Sequence, residues 1–150
     1  MGKIHNEITI NAGPGKIWEI LATPGMLDKY DPTVKKSTLI SNEKTGLGAK
    51  RKVEMRDDKN WFEEKITEFE PGKILTYQLT ACSFPVKALK HTYTFEVHGN
   101  RTRVHQVMEY TVKFGLLGKL MDALMIKKQS DGGIKMFFKG LKEFAESQAG

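Results

Sequence analysis

Lys113 to Gln148 reads KFGLLGKLMDALMIKKQSDGGIKMFFKGLKEFAESQ. Apolar residues recur at Leu117, Leu120 and Leu124, then at Ile134, Phe138, Leu141 and Ala145. Steps of three and four place them along one side of a 3.6-residue helix. Leu116, Met121, Met125, Phe137 and Phe144 widen the stripe, and Lys119, Lys127, Lys128, Lys135, Lys139 and Lys142 fill much of the rest. A helix of about thirty residues runs roughly 45 Å. Propensity alone does not hold such a helix in water, so its apolar side must lie on something. Gly132-Gly133 costs about 1–2 kcal/mol of helix stability relative to two alanines. Ordinary irregularity explains it; so does a hinge that lets half of the helix lift for ligand entry.

Upstream, the pattern is β with one helical interruption. Lys3 to Asn11 alternates, with Ile4, Asn6, Ile8 and Ile10 on one side and His5, Glu7 and Thr9 on the other. Pro14 suits the first turn of a helix, and Ile17, Trp18, Leu21 and Ala22 follow at helical spacing. A second short helix is expected around Met26 to Tyr30, capped by Thr23 or Asp28. Strands are then expected over Val34–Ser41, Ala49–Arg56, Trp61–Phe69, Lys73–Ala81, Leu89–Val97 and Thr102–Val112. Glu43–Gly48, Asp57–Asn60, Glu70–Gly72, Ser83–Pro85 and His98–Arg101 are the breaks between them.

One domain over residues 1–150 is the natural reading of this length. Strands in hairpin succession before one long amphipathic helix make an α+β fold. A curved, seven-stranded antiparallel sheet must cover one face, and the long helix is the only element large enough to do so. The single cysteine, Cys82, excludes an internal disulfide. With no apolar leader at the N-terminus and no bilayer-length apolar run, the expected location is cytoplasmic. The net charge of +6 comes from scattered lysines, and no basic run exceeds Lys50-Arg51-Lys52. Aromatics do not interleave with Lys50, Lys52, Arg101 or Arg103, so no nucleic-acid partner is expected.

The chain resembles the helix-grip superfamily: START-like domains, the birch-pollen-allergen fold, and the bacterial polyketide cyclase/dehydrase and lipid-transport proteins. The resemblance rests on ITINAGPGKIWEILATP over 8–24, Gly46-Leu47-Gly48, ITEFEPGKILTY over 66–77, Tyr93 to Val97 with Thr102 to Val104, and Leu141 to Phe144. It implies a helix-grip fold that holds an apolar ligand between the sheet and the terminal helix. Some members are cyclases and others bind or carry, and fold analogy does not choose between them.

Phasing the strands by their apolar residues turns Val53, Met55, Phe62, Ile66, Tyr77, Tyr93, Met108 and Tyr110 toward the helix, with Leu79, Val97 and Val112 in the same phase. Asn6, Arg51, Glu64, His91 and Gln106 are polar exceptions in that phase. Arg51 and Glu64 come from neighbouring strands and can pair in this phase; the alternatives are a structural ion pair at the sheet rim, a phase shifted by one residue, or a polar anchor for one end of an amphipathic ligand. The expected ligand-binding set is Arg51, Met55, Glu64, Tyr77, Tyr93, Gln106, Met108, Tyr110, Met121 and Met125, with methionines adapting to the guest's shape. Trp18 reads as packing, and Trp61 either faces outward or starts its strand at the cavity mouth. The helix pair near Gly25, the Gly46–Gly48 turn and the 83–88 loop are the expected gates.

Catalytic signals are thin. Only His91 of the four histidines has the inward phase, and no nucleophile arrangement surrounds Cys82. Asp28 and Asp31 read as capping and loop residues. No spacing matches a zinc, calcium or phosphate-loop motif, so no metal and no cofactor are expected. Three readings follow: a binder of a lipid or polyketide-like hydrophobic small molecule; a polyketide cyclase or dehydratase using Glu64, Arg51, Tyr77 or His91; and a protein-interaction domain of the Hsp90-activator type, which a collapsed cavity favours. A homodimer is compatible with all three.

Overall fold

The computed structural model describes residues 2–112 and 116–148, with side chains described for 2–112 and 132–148. Seven strands form one antiparallel sheet: β1 (Gly2–Ile10), β2 (Val34–Leu39), β3 (Lys50–Met55), β4 (Trp61–Glu70), β5 (Ile74–Cys82), β6 (Val86–His98) and β7 (Arg101–Val112). Their order is β1-β7-β6-β5-β4-β3-β2, so the first strand closes onto the last and every other neighbour is a sequence neighbour. Helix α1 (Pro14–Leu21), a 3-10 turn (Pro24–Met26) and helix α2 (Leu27–Tyr30) follow β1, and helix α3 (Leu116–Gln148) ends the chain.

Local chemistry explains the turns. Gly46, Gly48, Gly72 and Gly99 adopt positive φ, which glycine reaches without steric cost. Gly99-Asn100 joins β6 to β7 as a two-residue hairpin, with His98 paired to Arg101. Pro14 opens α1 as expected, but neither Thr23 nor Asp28 caps a helix. The Thr23 hydroxyl donates back to the Glu19 carbonyl at 2.7 Å. The Asp28 carboxylate instead accepts the Ser37 N–H at 3.1 Å, tying the helix pair to β2. Strand β6 begins at Val86, three residues before the expected start at Leu89. Its pairing with β7 reaches Val112 across a bulge between Val86 and Ala88.

The helix α3 packs with the expected stripe wherever its side chains are described. Phe137, Phe138, Leu141 and Ala145 are buried, and Ile134 and Phe144 are packed beside them. Leu116, Leu117, Leu120, Met121, Leu124 and Met125 lie outside the described side chains. The helix is continuous through Gly132-Gly133. Its far end is tied to β1: Lys142 Nζ donates to the Thr9 carbonyl at 3.0 Å, and Glu146 accepts the Asn11 N–H at 2.7 Å. At Gly140 the helix passes so close to α2 that a Cβ would stand 1.8 Å from the Tyr30 carbonyl oxygen. Trp18 is a packing residue, edge-on to Phe69 and Phe95 at ring separations of 5.2 and 5.7 Å. Val97, expected inward, lies beside the β6–β7 hairpin turn and is exposed.

Candidate functional site

A cavity of about 280 Å³ opens between the inner face of the sheet and the middle of α3. Its wall is mostly apolar: Phe62, Leu89, Met108 and Tyr110 from the strands, Ile134 and Phe137 from the helix. Leu27, Asp31 and Thr33 close one side, and Phe84 and Val86 another. Gly133 faces it, and a Cβ there would meet nothing within 4 Å. The missing side chain leaves room.

One polar cluster interrupts this wall. Arg51 and Glu64 are directly opposed on β3 and β4. Arg51 Nε and Nη2 both reach Glu64 Oε1, at 2.7 and 2.6 Å. Arg51 Nη1 donates to the Pro24 carbonyl at 3.2 Å, and its guanidinium lies 4.0 Å over the Tyr77 ring. The guanidinium is thus gripped on its edges and its face. Burial alone would lower the Arg51 pKa, but the Glu64 charge overrides it and holds it above its ordinary value. Both side chains are buried, Arg51 at 5 % exposed and Glu64 at 3 %. Among the described residues Glu64 Oε2 accepts no hydrogen bond, which leaves it as an acceptor for a guest.

The neighbours divide by which protons they have left. Tyr77 donates its hydroxyl to the Leu21 carbonyl at 2.7 Å, and burial pushes its pKa up to about 12. Tyr93 accepts from Gln106 Nε2 at 3.0 Å. Among the described residues Tyr93 donates to nothing, and burial raises its pKa. His91 faces the cavity opposite Tyr77, and burial lowers its pKa, so its imidazole is neutral near pH 7. Asp31 accepts the Thr33 N–H and hydroxyl at 2.9 and 2.7 Å, and burial raises its pKa against those bonds. It is a turn residue, as expected.

With this geometry in view, comparison with known proteins is informative. The family model for polyketide cyclase/dehydrase and lipid transport matches residues 1–146. The chain belongs to that family. A search of curated proteins finds no significant match. Among solved structures, a Thermus thermophilus protein is 16% identical with a TM-score of 0.81, covering 99% of this chain and 100% of that one. The Zhui aromatase/cyclase from Streptomyces sp. R1128 is 12% identical with a TM-score of 0.81, covering 97% and 93%. A START superfamily protein from Mycobacterium smegmatis is 14% identical with a TM-score of 0.77, covering 97% and 98%. At these identities the neighbours establish the helix-grip fold.

Within this polyketide cyclase/dehydrase and lipid-transport fold, Arg51, Glu64, Tyr77, Tyr93, Gln106, Met108 and Tyr110 all line the one cavity. Met55 does not. It lies at the far end of β3 opposite Val34, packed against the core. Met121 and Met125 lie outside the described side chains. Tyr77 cannot move a proton to a guest as expected, because its hydroxyl is committed to a main-chain carbonyl. The Gly46–Gly48 turn supplies no lining residue; Thr45 fastens it to the end of α1 through the Ala22 carbonyl at 2.5 Å. Trp61 is half-buried with the Lys52 ammonium 5.0 Å from its ring, and it lines no part of the cavity.

The expected ligand-binding set omits Leu27, Phe84, Val86, Leu89, Gly133 and Phe137, although Leu27 lies in the helix pair and Phe84 and Val86 in the 83–88 loop that were expected as gates. The break at Phe84-Pro85 hid the start of β6, although Val86 and Leu89 were apolar signals. Gln106 Oε1 and Asn6 Nδ2 are buried without partners among the described residues and occupy directly opposed positions of β7 and β1. No helix among the described residues is long and apolar enough to cross a membrane.

Proposed function

We propose that the protein binds a hydrophobic small molecule, lipid or polyketide-like, with its polar end against Glu64. The carrying observation is a mostly apolar cavity with one buried Arg51–Glu64 salt bridge in its wall and an unfilled space over Gly133. Apolar walls supply affinity in proportion to the area removed from water. The Arg51–Glu64 pair supplies orientation, because Glu64 Oε2 accepts a hydroxyl while Tyr93 donates to an oxygen. The family description, which includes lipid transport, supports this reading. So does the open interior, since an interaction scaffold of the Hsp90-activator type asked for a filled one.

A binding panel tests it. Purified protein is titrated with fatty acids, sterols and polyphenolic aromatics, read by ligand fluorescence or displacement. Hydroxylated aromatics or lipids binding at one per chain, and losing affinity in Glu64→Gln, support the proposal. No binding across the panel sinks it.

The cyclase reading is favoured by one further observation. His91 is a neutral imidazole in the same cavity as the Tyr93 hydroxyl and the Glu64 carboxylate. A flexible polyketide chain folded there would find a base in His91 and a carbonyl-polarising donor in Tyr93. The Streptomyces aromatase/cyclase of the same fold is consistent with it. Turnover of a linear polyketide mimic that falls in His91→Gln, while binding survives, separates this reading from carriage alone.

A further inference from the structure

We infer that His5, Glu7 and His105 form a binding site for a divalent transition ion of the Zn(II) class on the outer face of the sheet. The residues come from neighbouring strands β1 and β7, with Glu7 and His105 directly opposed. His5 Nε2 lies 3.1 Å from His105 Nδ1, and Glu7 Oε2 lies 3.3 Å from the same nitrogen. All three ligand atoms fall within 4.8 Å of one another. Tetrahedral bonds of about 2.0–2.1 Å to imidazole and carboxylate give ligand-to-ligand edges of about 3.3–3.4 Å. The Glu7–His105 edge already has that length, and the His5–His105 edge is short of it by about 0.2 Å. His5 and Glu7 are exposed and free to turn for the third without disturbing the core.

A further carboxylate lies behind the shared imidazole. His105 Nε2 lies 3.6 Å from Glu96 Oε1 on β6. Glu96 is itself held by His98, with Arg103 Nη1 3.9 Å away. At that separation Glu96 is an electrostatic neighbour of the ligand imidazole and not a hydrogen-bond partner. Two imidazoles and one carboxylate suit Zn(II), Cu(II) or Ni(II), whereas Ca(II) and Mg(II) want an all-oxygen shell. Water completes the fourth position. The site faces away from the cavity, so the ion clips the edge strand β1 to β7 and plays no part in guest chemistry. No spacing motif shows it, because His5 and His105 are 100 residues apart in the chain.

The test is calorimetric titration of Zn(II) into tag-free, chelator-treated full-length chain. Saturation at one ion per chain and a raised Tm with Zn(II) are expected. His5→Ala/His105→Ala should weaken binding at least about 100-fold, and Glu7→Gln, which keeps the side-chain shape, about tenfold. Absence of saturable wild-type binding overturns the inference. So does affinity unchanged in Glu7→Gln and in the folded double variant.

Discussion

Arg51 and Glu64 meet at 2.6 Å across adjacent antiparallel strands, inside the wall of the cavity they are proposed to serve. A buried ion pair adds little net stability, but removing one partner strands the other in an apolar medium. Arg51→Met should therefore cost about 3–5 kcal/mol in denaturant unfolding, and Arg51→Met/Glu64→Leu should recover most of that. If the double variant is as unstable as the single, the pair is not the coupled unit described here.

Two glycines of α3 should respond in opposite senses. Gly140→Ala drives a Cβ into the Tyr30 carbonyl and should destabilise by about 1–3 kcal/mol. Gly132→Ala meets nothing within 4 Å and should stabilise by about 0.4–1 kcal/mol, through helix propensity and a less free unfolded chain. Thermal unfolding of both variants against wild type reads the signs. Hydrogen exchange across Gly132-Gly133 bears on the hinge: protection there equal to the rest of α3 removes it.

Acid should destabilise through His91. Burial lowers its folded-state pKa, so below about 6.5 the unfolded chain takes up a proton that the folded one refuses. Stability then falls as pH drops from about 6.5 through the folded pKa. His91→Gln should flatten that slope in urea titrations between about pH 5 and 6.5; an unchanged slope excludes His91 as its source.

Alkali should act through the buried tyrosines. Burial raises the pKa of Tyr30, Tyr77 and Tyr93, that of Tyr77 to about 12. Above about pH 10 the unfolded state sheds phenolic protons that the folded state keeps, so stability declines as pH rises. Ultraviolet titration of the phenolates should show a late fraction that disappears in denaturant. Ordinary titration of Tyr30, Tyr77 and Tyr93 in the native protein would contradict their burial.

The fold was readable because strands such as β1 and β7 keep a period of two and the breaks carry turn residues. The Arg51–Glu64 contact followed from counting inward phases on two neighbouring strands joined by a short turn. The start of β6 was hidden because Phe84-Pro85 looks like a longer loop and a bulge follows it. Met55 has the inward phase, yet its position at the end of β3 takes it past the cavity. Phase gives the face and not the distance along it. The commitment of the Tyr77 hydroxyl to Leu21 depends on how α1 docks, which no strand pattern encodes.

A guest is proposed to occupy the space between Gly133 and the Arg51–Glu64 wall. Native mass spectrometry of the purified chain, alongside Gly133→Leu, tests it directly. The expected result is a bound apolar small molecule at one per chain, retained or taken up from the ligand panel, and its loss in the leucine variant without loss of the fold. Wild-type protein that stays ligand-free against the whole panel, or a leucine variant that binds as well, would contradict it.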